Sequence, residues 1–154
     1  MAFIAGIAFK DNKRSPMKEV HSIEITIKNG LSGDFRGKGG ITRNRQVTVS
    51  SVQQWEQVCR ELDVSLPWHI RRSNLYVNGL VFGPEDVGKI ICIDTFSMVE
   101  LEITGETKPC KRMDEAHPGL KDALSVGWRG GVTCRVRKGG TIDLGSYVEF
   151  VRCH

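Results

Sequence analysis

The chain has 154 residues, the size of one domain, and a domain of this size buries roughly 68–70% of its unfolded surface without disulfides or structural metals. Its composition, 40% hydrophobic and 26% charged, excludes the disordered and fibrous classes. No apolar run approaches the roughly 18–20 residues that a membrane-spanning helix needs. The net charge of +4 is small for a surface that follows a nucleic-acid backbone, so we expect neither a membrane nor a nucleic acid as partner.

The cysteines and the amino terminus bear on the cellular compartment. Five cysteines form an odd set without a Cys-x-x-Cys pair, which favours a reducing compartment, and we predict the cytoplasm. The apolar opening, Met1 to Phe9, has no basic segment before it and no small-residue cleavage site. We therefore interpret it as a first strand rather than a secretory signal. Nothing divides the chain, so we predict a single domain over residues 1–154.

The first half of the chain contains strand patterns and one helix pattern. Ser22 to Lys28 alternates apolar and polar residues, the period of a half-buried strand, and ends at Asn29-Gly30. Residues 30–44 carry five glycines among basic residues and are predicted to form a long basic loop. Gln46 to Ser50 is predicted to be a strand. Ser51 and Gln54 then have the form of a capping box that opens a helix with one apolar face.

The second half is rich in short β patterns separated by glycines. We predict strands at Asn74 to Val77, Lys89 to Asp94, Ser97 to Thr104, Gly131 to Arg137 and Tyr147 to Val151. A second short helix is predicted over Glu115 to Ser125, with its apolar side at Leu120, Ala123 and Leu124. The predicted fold class is mainly β: a closed or partly open β-barrel of short strands with about two covering helices.

One cysteine differs from the others in its sequence context. Cys59, Cys92 and Cys134 lie within apolar patterns and are predicted to be core residues, and Cys153 near the carboxyl terminus is expected to be inert. Cys110 follows a strand in a polar segment with three cations within two residues, which favours the thiolate, the form that attacks sulfur or binds a soft metal. The alternative is that this segment is an ordinary solvated turn.

Other sequence motifs exclude several kinds of site. The four histidines are scattered without zinc spacing, and no hydrolase elbow or nucleotide-binding glycine motif is present. Several arginines lie near glycines, whose exposed backbone N–H groups together with guanidinium groups can cradle a phosphate. The alternative is that each of these arginines is a solvated surface charge.

Six segments in a fixed order resemble a known family. They are Gly30 to Asp34, Arg45 to Val49, Arg71 to Leu75, Lys108 to Met113, Arg129 to Val132 and Lys138 to Gly140. In this order and at these distances the chain resembles the MOSC domain family, which takes its name from the carboxyl-terminal domain of molybdenum cofactor sulfurases. The resemblance runs from the first strand to Val151. One departure is Gly145-Ser146, where relatives usually read Gly-Asp, and serine can replace an aspartate that caps a turn.

The resemblance implies a barrel whose motif cysteine, here Cys110, carries sulfur or ligates the molybdenum of the pterin cofactor molybdopterin. Pyridoxal phosphate is not expected, because it belongs to a desulfurase domain for which this chain is too short. The residues expected to bind the anionic cofactor are Arg36, Arg45, Arg72, Asn74, Lys108, Arg112, Arg129, Gly130 and Gly131. We choose Arg72 over Arg71, because on a strand that continues to Val77 the two adjacent side chains would point to opposite faces.

Two functions follow from the resemblance. As a molybdenum cofactor-binding enzyme, the protein would reduce N-hydroxylated compounds with electrons from a separate reductase. As a sulfur carrier, Cys110 would accept a persulfide from a cysteine desulfurase and deliver the sulfur to a metal-sulfur centre or cofactor. A third interpretation, a β-barrel that binds nucleic acid or protein, predicts no dependence on any cysteine.

Overall fold

The computed structural model describes residues 2–35, 37, 44–94 and 98–151. Within these residues the strands are β1 (Ala2–Phe9), β2 (Lys18–Glu19), β3 (Ser22–Thr26), β4 (Gly30–Leu31), β5 (Val47–Ser51), β6 (Leu75–Asn78), β7 (Ile90–Asp94), β8 (Val99–Glu106), β9 (Val132–Lys138), β10 (Gly140–Asp143) and β11 (Tyr147–Val151). The helices are α1 (Val52–Leu62), α2 (Arg112–Ala116) and α3 (Leu120–Leu124), with 3-10 helices at Trp68–Arg71 and Pro84–Asp86.

Seven strands close into a barrel, which confirms the predicted fold class. Around the barrel the order is β1, β6, β5, β9, β8, β7 and β11, and β11 pairs with β1 to close it. All of these pairs are antiparallel except β5 with β6. Strand β2 extends one end of β1, and β10, β3 and β4 form a separate small sheet. Closure leaves the seven barrel strands without unpaired edges.

The parallel β5–β6 pair requires a crossover connection, and helix α1 provides it. As predicted, Ser51 caps this helix, because its hydroxyl accepts a hydrogen bond from the Gln54 backbone N–H at 3.2 Å. The Gln54 side chain does not complete the predicted box. It bonds the backbone of Phe82 and Gly127 instead, and so ties the helix to two distant loops.

The prediction of one helix over residues 115–125 is wrong. Two short helices, α2 and α3, replace it, and the break falls at Pro118 and Gly119. Proline cannot donate a backbone hydrogen bond, and Gly119 adopts a left-handed φ of 86°. The apolar side predicted for this segment is present in α3, since Leu120 and Leu124 are fully buried.

Two apolar clusters hold the fold together. The larger fills the barrel with inward-facing Ile, Val and Leu side chains from its strands and includes Cys134. The smaller lies between the helices and the outside of the barrel and contains Trp55, Trp68 and Met113. Cys92 and Cys134 are buried, as predicted, and Cys59 is half-buried against the smaller cluster. Burial raises the pKa of both the Cys92 and the Cys134 thiol.

Most predicted strands are present with ends shifted by one or two residues, and β11 matches its predicted bounds. Strands β2, β4 and β10 are not predicted from the sequence, and β4 occupies the start of the predicted basic loop. None of the helices in the described part of the chain is long and apolar enough to cross a membrane.

Candidate functional site

A cavity of about 500 Å³ opens where the segment after β8 meets the start of β5 and the 3-10 helix Trp68–Arg71. Its lining residues are Phe35, Arg45, Thr48, Arg71, Arg72, Thr107, Lys108, Pro109, Cys110 and Met113. Four of these side chains are cationic and none is acidic. We refer to this space as the Cys110 cavity.

Cys110 stands at the mouth of this cavity, where it is solvent-exposed. It follows Pro109 in the turn between β8 and α2. The carbonyl of Cys110 accepts a hydrogen bond from the Met113 N–H at 3.0 Å, and the Met113 side chain is buried in the smaller apolar cluster. The packing of Met113 therefore fixes the backbone that carries the thiol.

Arg71 lies inside the same cavity and is only 6% exposed. Within the described part of the chain, its Nε and Nη1 atoms are buried without a hydrogen-bond partner. Desolvation by burial lowers the pKa of Arg71 to about 10. The buried Thr107 hydroxyl, which also lines the cavity, has no partner either. A buried guanidinium and a hydroxyl with unused donors are suited to the oxygens of a phosphate or another oxyanion.

The 3-10 helix that carries Arg71 is fixed from its other side. Trp68 stacks on Tyr76 of β6, with ring centroids 4.9 Å apart and planes 2° from parallel. Its indole N–H donates to Glu19 Oε1 at 3.0 Å. Gly6 of β1 leaves room for the ring, since a Cβ at this position would lie 2.7 Å from it. The indole thus anchors the helix to the outside of the barrel and leaves Arg71 directed towards the Cys110 cavity.

Two adjacent glycines support the cavity wall, Gly130 against Arg71 and Gly131 through Thr107. A Cβ on Gly130 would lie 2.2 Å from the Thr107 carbonyl oxygen and 3.4 Å from Arg71 Nη1. Gly131 has a φ of 88°, and a Cβ there would lie 2.2 Å from the Val49 carbonyl oxygen. The Gly131 carbonyl accepts the Thr107 N–H at 2.9 Å. Only glycine lets these backbones approach so closely, so this pair sets the position of Thr107 and the space available to Arg71.

Asn74 connects three barrel strands beneath the cavity. Its side-chain oxygen accepts the Thr48 N–H at 3.0 Å, and its amide nitrogen donates to the Ala8 carbonyl at 3.1 Å. Its backbone N–H donates to the Thr48 hydroxyl at 3.1 Å. With these atoms engaged, the Asn74 side chain holds Thr48 in place at the cavity rather than facing the cavity itself.

The sequence-predicted residues fall into three groups. Arg45, Arg72, Lys108 and Cys110 line the cavity together. Asn74, Gly130 and Gly131 support it from behind without lining it. Arg112 and Arg129 lie away from it, and Arg36 lies outside the described residues.

Arg129 instead forms a bidentate ion pair with Glu61 of α1. Its two terminal nitrogens each donate to one carboxylate oxygen at 2.7 Å. The hydrogen bond from Arg129 lowers the pKa of Glu61. Arg129 therefore joins the turn before β9 to helix α1, and Arg112 is an exposed residue at the start of α2.

The sequence prediction missed Arg71, because its premise about the strand is wrong. Residues 71 and 72 do not continue β6, which begins at Leu75. Arg71 ends the 3-10 helix, and Arg72 follows with a left-handed φ of 64°, so both side chains line the cavity. Thr107 and Phe35 were missed as well. Thr107 could have been identified from the sequence, because it stands directly before the Lys108–Met113 motif.

A larger cavity, of about 780 Å³, lies on the other side of the Trp68–Arg71 helix. It is lined by α1 and the loop that follows it, with Trp55, Trp68 and Tyr76 among its residues. Desolvation by burial raises the pKa of Tyr76 to about 12. Neither Cys110 nor Arg71 contributes to this cavity, so we place the candidate site in the smaller Cys110 cavity.

The model of the MOSC domain matches residues 32–149, most of the chain. The chain belongs to the MOSC domain family. The matched region contains every residue that lines the Cys110 cavity. A search among curated proteins found no match to this sequence.

Solved structures share the MOSC fold over nearly the full length of the chain. The YuaD protein from Bacillus subtilis is similar with a TM-score of 0.75 and 20% identity, and the match covers 100% of this chain and 98% of YuaD. YiiM from Geobacillus stearothermophilus is similar with a TM-score of 0.74 and 16% identity, and the match covers 99% of this chain and 76% of that protein. YiiM from Escherichia coli has a TM-score of 0.70 and 14% identity, and the match covers 99% of this chain and 71% of that protein. At these identities the likeness shows the fold.

Proposed function

We propose that this MOSC protein binds a molybdenum cofactor in the Cys110 cavity, with the Cys110 thiolate as a ligand to molybdenum. A single observation carries the proposal: an exposed thiol shares one cavity with a buried guanidinium whose Nε and Nη1 atoms have no partner among the described residues. A thiolate is a soft ligand that suits molybdenum, and the guanidinium suits the phosphate of the pterin. Neither group alone distinguishes this function, but the pair matches the two ends of one ligand.

The buried and the exposed residues of the cavity would bind different parts of the cofactor. Arg71 and Thr107, both less than 10% exposed, would hold the phosphate, because a desolvated charge–oxyanion contact is stronger than an exposed one. Arg45 and Lys108 line the more open part of the cavity and would add positive potential for an anionic ligand. Cys110, fixed by the backbone bond to Met113, would bind the metal at the mouth, where a small substrate can reach it.

As an enzyme, the protein would reduce N-hydroxylated compounds. When bound, the cofactor would supply two-electron redox chemistry at its molybdenum. Overall the N–O bond breaks, a separate reductase supplies two electrons, two protons come from solvent, and the products are the amine and water. The exposed position of Cys110 leaves the mouth of the cavity open to both substrate and reductase.

The second candidate function is sulfur transfer, and the exposure of Cys110 favours it. The Cys110 thiolate would attack the outer sulfur of a desulfurase persulfide. A new S–S bond forms on Cys110, and the desulfurase cysteine leaves as a thiolate. The sulfur would then pass to a metal-sulfur centre or cofactor. This function requires an accessible thiol but gives no role to the buried, unpaired Arg71.

The two functions differ in what copurifies with the protein. We would purify wild type, Cys110→Ser and Cys59→Ser from a host that makes molybdenum cofactor, and measure molybdenum, pterin and intact native mass. The proposal predicts near-stoichiometric molybdenum and a pterin mass in wild type and Cys59→Ser, and neither in Cys110→Ser. Cys59→Ser is the matched control, because Cys59 lies at the other cavity.

Other results would decide against cofactor binding. A sulfur-mass adduct on wild type that is absent from Cys110→Ser, without molybdenum, would establish the carrier instead. Equal molybdenum in wild type and Cys110→Ser would show that Cys110 is not the ligand. Wild type with neither molybdenum nor added sulfur would contradict both functions.

A further inference from the structure

A second cavity, of about 420 Å³, adjoins the Cys110 cavity and shares one residue with it. Its lining residues are Arg14, Ser15, Pro16, Met17, Pro67, His69, Ile70 and Arg72. Arg72 lines both spaces and therefore stands at their junction. We refer to the second space as the Arg14 cavity.

The residues that line these two cavities carry positive charge without acidic balance. Five are cationic, namely Arg14, Arg45, Arg71, Arg72 and Lys108, and none is an aspartate or glutamate. Within the described ranges of the chain, neither Arg14 nor Arg72 forms an ion pair. His69 is different, because its Nε2 lies 3.8 Å from a carboxylate oxygen of Glu19.

This charge exceeds the needs of one bound phosphate. In the proposed function the buried pair Arg71 and Thr107 would hold the cofactor phosphate. Arg72 and Arg14, which form no ion pair within the described residues, then remain on the side away from Arg71. Guanidinium groups bind carboxylate and phosphate oxygens through paired N–H donors, so the geometry favours a second oxyanion.

The backbone supports a positioning role for Arg72. Its φ of 64° lies in the left-handed region, which is uncommon for a residue with a side chain. The Arg72 N–H donates to the His69 carbonyl at 3.0 Å, and this bond closes the 3-10 helix. Residues held in such conformations cluster at ligand sites. Here the conformation puts the Arg72 side chain at the junction of the two cavities.

We propose that the Arg14 cavity binds the anionic end of an organic substrate. Arg14 and Arg72 would hold its carboxylate or phosphate, and Met17 and Ile70 would contact a small apolar or aromatic body. Through the junction at Arg72 the rest of the molecule would extend towards Cys110. The inference rests on the proposed function only in treating the neighbouring cavity as the place of reaction.

Direct binding tests this inference without a loaded enzyme. Isothermal titration of the cofactor-free protein would use benzoate, phenyl phosphate and benzamide, the last a neutral molecule of similar shape. We expect both anions to bind at least tenfold more tightly than benzamide, and the tighter anion identifies the class of oxyanion. We expect Arg14→Gln to weaken anion binding about tenfold, because hydrogen bonds to a charged partner are lost.

Two further variants locate the bound anion. Lys13→Gln removes the same charge one residue away, outside both cavities, and should change binding less than twofold. Arg71→Met removes the oxyanion donors of the Cys110 cavity, so anion binding that remains in this variant, and that Arg14→Gln weakens about tenfold, belongs to the Arg14 cavity. The inference is wrong if benzamide binds as tightly as the anions, or if Arg14→Gln and Lys13→Gln have equal effects.

The outcomes also separate this inference from the proposed function. Anion binding that is lost in Arg71→Met but kept in Arg14→Gln would place the anion in the Cys110 cavity and overturn the inference, while the proposed function stands. Anion binding that depends on Arg14 would support the inference even if wild type never binds molybdenum cofactor, a result that overturns the proposed function.

Discussion

Replacement of Arg71 by methionine is expected to stabilise the cofactor-free protein and to remove the phosphate site proposed in the Cys110 cavity. Methionine has a similar length, fills irregular apolar space and has no donors that need partners. In the wild type, the buried Nε and Nη1 atoms have no partner and the charge is desolvated. Function rather than stability would therefore account for an arginine at this position.

The lowered pKa sets the size of this effect. Burial lowers the pKa of Arg71 to about 10, well below that of an ordinary arginine, and one pKa unit corresponds to about 1.4 kcal/mol. The charged side chain thus costs on the order of 3 kcal/mol, an upper limit because the cavity is open to water. We expect Arg71→Met to raise the free energy of unfolding by roughly 1–3 kcal/mol, measured by urea denaturation at pH 7.

Both pH and phosphate should change the difference between wild type and Arg71→Met. Because the folded pKa of Arg71 is below the unfolded value, the cost of the buried charge is fully present below about pH 10 and declines as the pH rises further towards the higher unfolded value. The stability gap should therefore stay constant from pH 6 to 9 and narrow above pH 10. Inorganic phosphate bound at the Arg71 site should stabilise the wild type by about 2.7 kcal/mol at 100 times its Kd, and it should stabilise Arg71→Met less, because only the Arg14 cavity remains to bind it.

Arg129→Met is the matched control, since that guanidinium is paired with Glu61 through two 2.7 Å contacts. We expect this variant to lower stability and to keep the response to phosphate. If Arg71→Met also lowered stability and phosphate stabilised it as much as the wild type, Arg71 would not be an unpaired charge held for an anion. The reasoning from burial and missing partners would then be refuted.

Three further predictions concern the cysteines and the cavity support. Cys110→Ser should keep the wild-type Tm within about 1 °C, because the residue is exposed, and the variant should lose one rapidly labelled thiol in a disulfide-reagent assay. Cys134→Ser should instead lower the free energy of unfolding by roughly 1–3 kcal/mol in urea denaturation, because it buries a hydroxyl. Gly131→Ala should destabilise by about 2 kcal/mol or more, because Gly131 has a φ of 88° and an added Cβ would lie 2.2 Å from the Val49 carbonyl oxygen. Thermal unfolding at the wild-type temperature would contradict this prediction. Asn74→Ala should lower the free energy of unfolding by roughly 2–3 kcal/mol, because it leaves buried backbone groups of Thr48 and Ala8 unpaired. If the variant instead kept its stability and lost only phosphate binding, Asn74 would contact the ligand directly.

The barrel could be predicted because its strands carry strong local patterns. Alternation and glycine turns identify strands such as β9 and β11 within the chain itself. The two-residue strands β2 and β4 carry no such pattern, since they exist only through pairing with β1 and β3. The break between α2 and α3 was signalled by Pro118-Gly119, and the prediction gave the apolar spacing too much weight.

The site was harder to predict than the fold because its members come from distant segments. Cys110 and Lys108 were found from one local motif, and Arg45 and Arg72 from the resemblance. Arg71 was passed over because period-two alternation was assumed for a segment that forms a 3-10 helix. Whether an arginine is paired, as Arg129 is with Glu61, depends on a partner 68 residues away, and no local pattern shows it.

The central claim is that Cys110 and Arg71 hold two ends of one ligand, and a binding cycle tests it most directly. Cofactor-free wild type, Cys110→Ser, Arg71→Met and the double variant would each be titrated with isolated molybdenum cofactor. We predict 1:1 binding to wild type, weaker binding to each single variant and no detectable binding to the double variant. Failure of wild type to bind, or wild-type affinity in both single variants, would contradict the account.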